Sequence, residues 1–208
     1  LQPVLVTSFS LIYADMGAIS VIALAAKAYH RFSRDLALNN VSAIISNNDS
    51  KNADGLSESI KSALPKISSL TGASRVSILM NFPFSRPIIH RYVNEQVVTF
   101  DDGKIPGAVT IRAFVYGDEA WFEKYEDFSK RLKIEDGTSD SKKSQADDEY
   151  VCIAPIRVNG TPMGVLMLTG FNDKKIEKLV ASNMISDERE TAKLLVDHIA
   201  AAFSELVI

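Results

Sequence analysis

Residues 150–171 read YVCIAPIRVNGTPMGVLMLTGF, and this stretch decides the fold. Two apolar runs flank Asn159-Gly160. A two-residue type I′ turn needs positive φ at both central positions, which Asn and Gly tolerate, so the pair predicts a β-hairpin. On the first run Val151, Ile153 and Pro155 point one way, and Cys152, Ala154 and Ile156 the other. Both sets are apolar, which predicts a strand covered on both faces. Val165, Leu166, Met167 and Leu168 repeat the pattern on the second run. Gly164 and Gly170 predict a close backbone approach or a bulge. The hairpin is therefore expected at the centre of a sheet with helices packed on it.

Working back from the hairpin, residues 135–149 are polar and read as a surface loop. Residues 118–132, DEAWFEKYEDFSKRL, predict a helix with Trp121, Phe122, Tyr125, Phe128 and Leu132 on one face. Residues 109–116 fit either a third strand or the start of a helix. Residues 75–82 alternate as a strand, with Val76, Ile78 and Met80 on one side. A second strand starts at Ile88 and is expected to run on to Val98, with a turn at Asp101-Asp102-Gly103. Residues 54–71 form an amphipathic pattern through Leu56, Ile60, Leu64, Ile67 and Leu70. Pro65 should kink or split that helix near Leu64, and Gly72 should stop it.

Residues 39–54, NNVSAIISNNDSKNAD, have the composition of a loop or a helix break. They set the expected division of the chain: a helical extension over 1–50 and the main domain over 51–208. From Leu1 to Ala26 the single charge is Asp15, and Lys27, His30, Arg31 and Arg34 then arrive together. Two readings fit. One is a helix buried against a partner chain or the domain. The other is a segment at the cytoplasmic side of a membrane.

Beyond the hairpin, a short helix is expected at 175–181. Ser186 should cap a last helix with Asp187 and Glu188 in its first turn, where the helix dipole favours acids. Ala192, Leu195, Ile199, Ala202 and Leu206 then follow heptad spacing. Leu194, Val196, Phe203 and Val207 widen the stripe, so that one side suits the sheet and the other a partner helix, which predicts a homodimer through the terminal helices, broken by aspartate at Leu195 and Ile199.

The bulk numbers exclude several classes. Hydrophobic residues make up 46% of the 208, enough for a real core. The net charge is -3 with scattered cations, which argues against a nucleic-acid surface. One cysteine excludes a disulfide framework and a cysteine metal cage, and suits a reducing cytoplasm. His30, His90 and His198 show no ligand spacing, and no phosphate-binding loop or nucleophile elbow occurs.

The apolar strand, proline, polar turn and Gly-Val-Leu-Met-Leu strand of residues 151–171 resemble the signature end of a GAF domain. Residues 75–81 resemble that family's first strand, and the likeness covers about 54–208. It implies an α+β fold: an antiparallel sheet with terminal helices on one face and pocket-covering helices or loops on the other. It also implies a non-catalytic sensory or regulatory module, set beside an output domain in a longer chain. The segment with Phe114, Tyr116, Trp121 and Tyr125 would sit beside a small-ligand pocket, flanked by Phe82, Phe84, His90, Arg91 and Tyr92. Arg91 or Arg112 could pair an anionic ligand. The competing account makes the aromatic residues a plain helix face and the pocket self-filled, leaving a dimerisation scaffold.

The ligand-specific patterns of the family are incomplete here. Cyclic-nucleotide binders carry Asn-Lys after the hairpin, then a Phe and an Asp-Glu pair. This chain has Asn172-Asp173-Lys174, Asn183 at the Phe position, and a matching Asp187-Glu188. A covalent bilin needs a pocket-side cysteine, usually in a Cys-His pair, whereas Cys152 precedes Ile153 in a strand. The family's methionine sulfoxide reductases need several cysteines.

Overall fold

The computed structural model describes residues 2–47, 52–82, 86–101, 108–132, 149–181 and 185–205, with side chains described at 19–29 and from 31 onward in these segments except at 108 and 109. Phe84, Asn183, Leu206, the loop at 135–148 and the turn at Asp102-Gly103 lie outside the described residues. Contacts divide the chain into two compact units, Leu1–Ala37 and Leu38–Ile208.

The first helix, α1 (Gln2–Ser46), supplies the whole described part of the first unit. Among the described residues, no helix is long and apolar enough to cross a membrane. The helix break expected over 39–46 does not occur. Leu38, Val41 and Ile45 recur at three and four and are buried in the second unit's core, while Asn39 and Asn40 face solvent. Their apolar spacing outweighs the turn propensity of the asparagines and serines, because burial contributes more than local preference.

In the second unit six strands form one antiparallel sheet, ordered β3-β2-β1-β6-β5-β4. They are β1 (Arg75–Met80), β2 (Ile88–Val93), β3 (Gln96–Phe100), β4 (Ala120–Lys124), β5 (Tyr150–Val158) and β6 (Thr161–Thr169). The β5–β6 hairpin turns at Asn159 (φ 50°) and Gly160 (φ 79°), as its sequence dictates. Gly164 is needed for close packing: a Cβ there would lie 2.3 Å from the Leu79 carbonyl oxygen. The second strand does not continue to Val98. It turns back at Asn94 (φ 50°) and Glu95 (φ 61°), so β2 and β3 are a second hairpin.

One face of the sheet carries α2 (Ala53–Thr71), α6 (Ser186–Ser204) and the end of α1. Val76, Ile78, Cys152, Ile156, Leu166 and Leu168 meet Leu56, Ile60, Leu195 and Ile199 in this core. The side chain of Asn52 accepts a hydrogen bond from Gly55 N–H at 2.8 Å and caps α2, a contact worth about 1 kcal/mol. Gly72 ends α2 at φ 73°. The helix is unbroken at Pro65, whose ring faces solvent. Ser186 is the first residue of α6; the cap position is Ile185, and no side chain caps it. The short α5 (Asp173–Ala181) buries Ile176 in the same core.

The other face carries α3 (Ala108–Tyr116) and α4 (Tyr125–Arg131) over Leu79, Ile89, Val151, Ile153 and Val165. Residues 109–116 are thus helix. The helix expected over 118–132 is instead β4 followed by α4. Phe122 adopts φ 57°, and the β4–β5 register shifts between Trp121 and Glu123. This bulge turns Phe122 to the same core as its neighbour Trp121, while Phe128 packs on the opposite face. The five aromatic and aliphatic residues that read as one helix face are therefore split between two cores.

Candidate functional site

Phe84 lies outside the described residues, and the seven described candidates are spread over both faces of the sheet. Strand alternation puts Arg91 on the α3/α4 face, and Tyr92 on the face that carries α2 and α6. Phe114 is buried beside Leu79 and Val165, and Tyr125 packs against the same cluster. Tyr116 is 70% exposed, with the Arg112 guanidinium 5.2 Å from its ring centre. Arg112 also binds Asp118 at 2.7 Å, so its charge is already partnered. Phe82 packs on the α6 side, 5.0 Å from the Phe203 ring. Arg91 donates from Nε to Ser77 Oγ at 3.0 Å and lies over the Phe100 ring.

Trp121 lines an open cavity. The space, about 290 Å³, lies between α6 and the part of β5 past its pairing with β4. Lys193, Val196, Asp197 and Ala200 form its helical wall. Their spacing puts them on one side of α6, apart from the buried Ala192, Leu195 and Ile199. The Lys193 ammonium sits 5.5 Å from the Trp121 ring centre, within cation–π range. Glu119 accepts the Trp121 indole N–H at 2.5 Å and so fixes the ring. Across the space, Arg157 is held by the carbonyls of Gly160 (2.9 Å) and Val115 (3.4 Å). Gly117 leaves room for it, since a Cβ at that position would lie 3.1 Å from Arg157 Nη2.

The wall therefore offers two cations, two carboxylates and an aromatic face. Such a set can orient a small polar molecule by charge and stack a planar one. Arg157, Lys193 and Asp197 were not singled out from sequence. The i, i+3, i+4, i+7 spacing of 193, 196, 197 and 200 was visible, but without the fold it reads as an ordinary solvated helix edge.

A second polar cluster centres on a buried histidine. His90 is fully buried, with Nε2 2.7 Å from Ser57 Oγ and Nδ1 2.9 Å from Thr99 Oγ1. Burial, and then the nearby Lys61 charge, push its pKa down to about 4, so the ring is neutral near pH 7. One ring nitrogen donates and the other accepts, and each hydroxyl can take the complementary role. The cluster ties α2 to β2 and β3. Cys152 is also fully buried, and burial pushes its thiol pKa well up, so it is a core residue with little thiolate character. Among the described residues, no group of three or more His, Cys, Asp or Glu side chains gathers as a metal site would.

No protein-family model and no curated protein matches the chain. Solved structures do match. The nlh2 GAF domain of A. Aeolicus in an inactive state is similar at 16% identity and TM-score 0.52, over 83% of this chain and 96% of that one. A methyl-accepting chemotaxis protein fragment matches at 17% identity and TM-score 0.46, over 82% of this chain and 98% of that one. The phycoerythrobilin-bound GAF domain of a cyanobacterial phytochrome matches at 14% and 0.45, over 84% of this chain and 96% of that one. The fold is GAF-like: an antiparallel sheet with the long helices on one face and the short ones on the other.

Proposed function

We propose that this chain is a non-catalytic sensory or regulatory module. A small polar ligand enters the groove beside Trp121, and its binding biases the position of α6 relative to the sheet. The module acts as a homodimer in the cytoplasm and passes the bias to an adjoining output domain. The observation that carries the reading is the groove itself: one wall is fixed to the sheet through Arg157, and the other is a single side of α6. A ligand bridging the two walls couples its binding energy to the helix, which is what a switch requires.

The rival reading is a ligand-free scaffold that only pairs and spaces its neighbours. The α3/α4 face supports it, because Phe114 and Phe128 fill that face with the chain's own side chains.

Native mass spectrometry of the purified chain, against the same sample denatured, separates the two. The sensor reading expects a small-molecule mass that disappears on denaturation, and loss of that mass in Val196→Trp, which fills the groove from a half-buried position. A mass retained in a folded Val196→Trp variant removes the groove as the site. A clean chain that also takes up nothing from a panel of cyclic nucleotides and amino acids favours the scaffold.

A further inference from the structure

The groove beside Trp121 gathers charges that the fold leaves unpaired. Elsewhere in the domain Arg75 pairs with Glu149, Arg112 with Asp118, and Arg131 with Glu123. Arg157, Lys193 and Asp197 form no ion pair among the described residues. Arg157 donates to two backbone carbonyls and to no carboxylate. The Lys193 ammonium lies over the Trp121 ring and does not reach Asp197, one turn along the same side of α6. Glu119 uses one carboxylate oxygen on the Trp121 indole N–H. The wall is thus neutral in sum but not neutralised pair by pair. Between the charges lies apolar surface: Ala154 and Pro155 from β5, Val196 and Ala200 from α6.

We propose that the groove takes a zwitterion of the α-amino-acid class with a short aliphatic side chain. The inference rests on the groove reading above and names its ligand. A nucleotide or other polyanion would meet Glu119 and Asp197, and a polyamine would meet Arg157 and Lys193. In each case like charges on the wall offset the attraction. A molecule with one carboxylate and one ammonium answers both signs. Its carboxylate takes N–H groups of Arg157 and the Lys193 ammonium, in charge-assisted bonds that are stronger than neutral ones. Its ammonium takes Glu119 and Asp197, and its side chain lies on the apolar surface between them. The cavity, about 290 Å³, is below the roughly 300–1,000 Å³ of drug-sized sites, so the side chain is short. A carboxylate that draws Lys193 off the Trp121 ring also changes the surroundings of the chain's one tryptophan.

Tryptophan fluorescence and calorimetry of the whole chain test the class. The probes are L-leucine, its methyl ester, which keeps only the ammonium, and isocaproate, which keeps only the carboxylate. L-leucine should change the Trp121 emission saturably. It should bind about tenfold tighter than either analogue, or more, as one hydrogen bond between charged groups is worth. Lys193→Met should remove the advantage over the ester, and Asp197→Asn the advantage over isocaproate. Both side chains are exposed, so both variants should fold. Equal affinities for the three probes overturn the class, and so does a variant that weakens all three alike. If L-leucine does not bind, but native mass spectrometry finds another small molecule that Val196→Trp loses, the class fails and the groove stands. L-leucine binding retained in a folded Val196→Trp variant removes the groove and the class together, as does a chain that takes up no small molecule at all.

Discussion

The buried His90 should make this domain sensitive to mild acid. Its ring bridges Ser57 on α2 and Thr99 on β3, and its pKa falls from 6.5 to about 4 on folding. A histidine that folding makes harder to protonate stabilises the fold fully above its unfolded pKa. That stability is lost as pH falls from about 6.5 toward 4, and no more is lost below. At about 1.4 kcal/mol per pH unit the whole loss is about 3 kcal/mol. By pH 5 linkage puts the loss at about 2 kcal/mol. The assay is urea denaturation at pH 7.5 and pH 5.0 for the wild type and for His90→Gln. Glutamine keeps a donor and an acceptor but cannot titrate. The carboxylates shift both proteins alike, so the difference isolates the histidine. The wild type should lose about 2 kcal/mol more than the variant between the two pH values. At pH 7.5 the variant itself should be about 1 kcal/mol weaker, for one imperfect hydrogen bond. Equal pH dependence in the two proteins would refute the reasoning, because His90 would then be solvated or charged in the native state.

Two further substitutions test the packing. Gly164→Ala puts a Cβ 2.3 Å from a backbone oxygen of the neighbouring strand, which cannot swing aside as a side chain can. It should cost about 2 kcal/mol or more in unfolding free energy, read as a lowered urea midpoint, and a neutral effect would mean the β1–β6 contact is looser than described. Leu195→Ala removes a fully buried side chain and should cost about 3 kcal/mol, with self-association unchanged when measured by sedimentation. A weakened dimer with undiminished stability would return α6 to the interface.

What the sequence made legible was local. The β5–β6 hairpin was readable because Asn159-Gly160 is a strong turn signal lying between alternating apolar runs. The β2–β3 hairpin was not, because Glu95 has no preference for the positive φ it adopts; tertiary pairing holds it there. Residues 118–132 satisfied a helical period, and strand pairing of Trp121 with Cys152 overrode it. The bulge at Phe122 then defeated the alternation that would have revealed a strand. The site was less legible still. Period two alone separates Arg91 from Tyr92, so grouping them in one pocket conflicted with the strand already assigned to them. Arg157 meets Lys193 and Trp121 across the groove only through non-local folding.

On α6 the buried part of the heptad pattern is met within the chain. A stripe of Ala192, Leu195, Ile199 and Ala202 suits a partner helix, but the sheet and α2 supply an equivalent apolar surface within the chain. Spacing specifies what a helix face needs, not who provides it. In the module proposed above, with that face closed internally, α6 would take its ligand on the side that remains, which bears Lys193, Val196, Asp197 and Ala200. A ligand on that side adds contacts without breaking the buried ones. It can therefore act by tilting or sliding the helix as a body, at a cost set by the few core contacts that must readjust. Its effect on the equilibrium is bounded by its differential affinity for the two positions, so about 1.4 kcal/mol of preference changes their ratio tenfold.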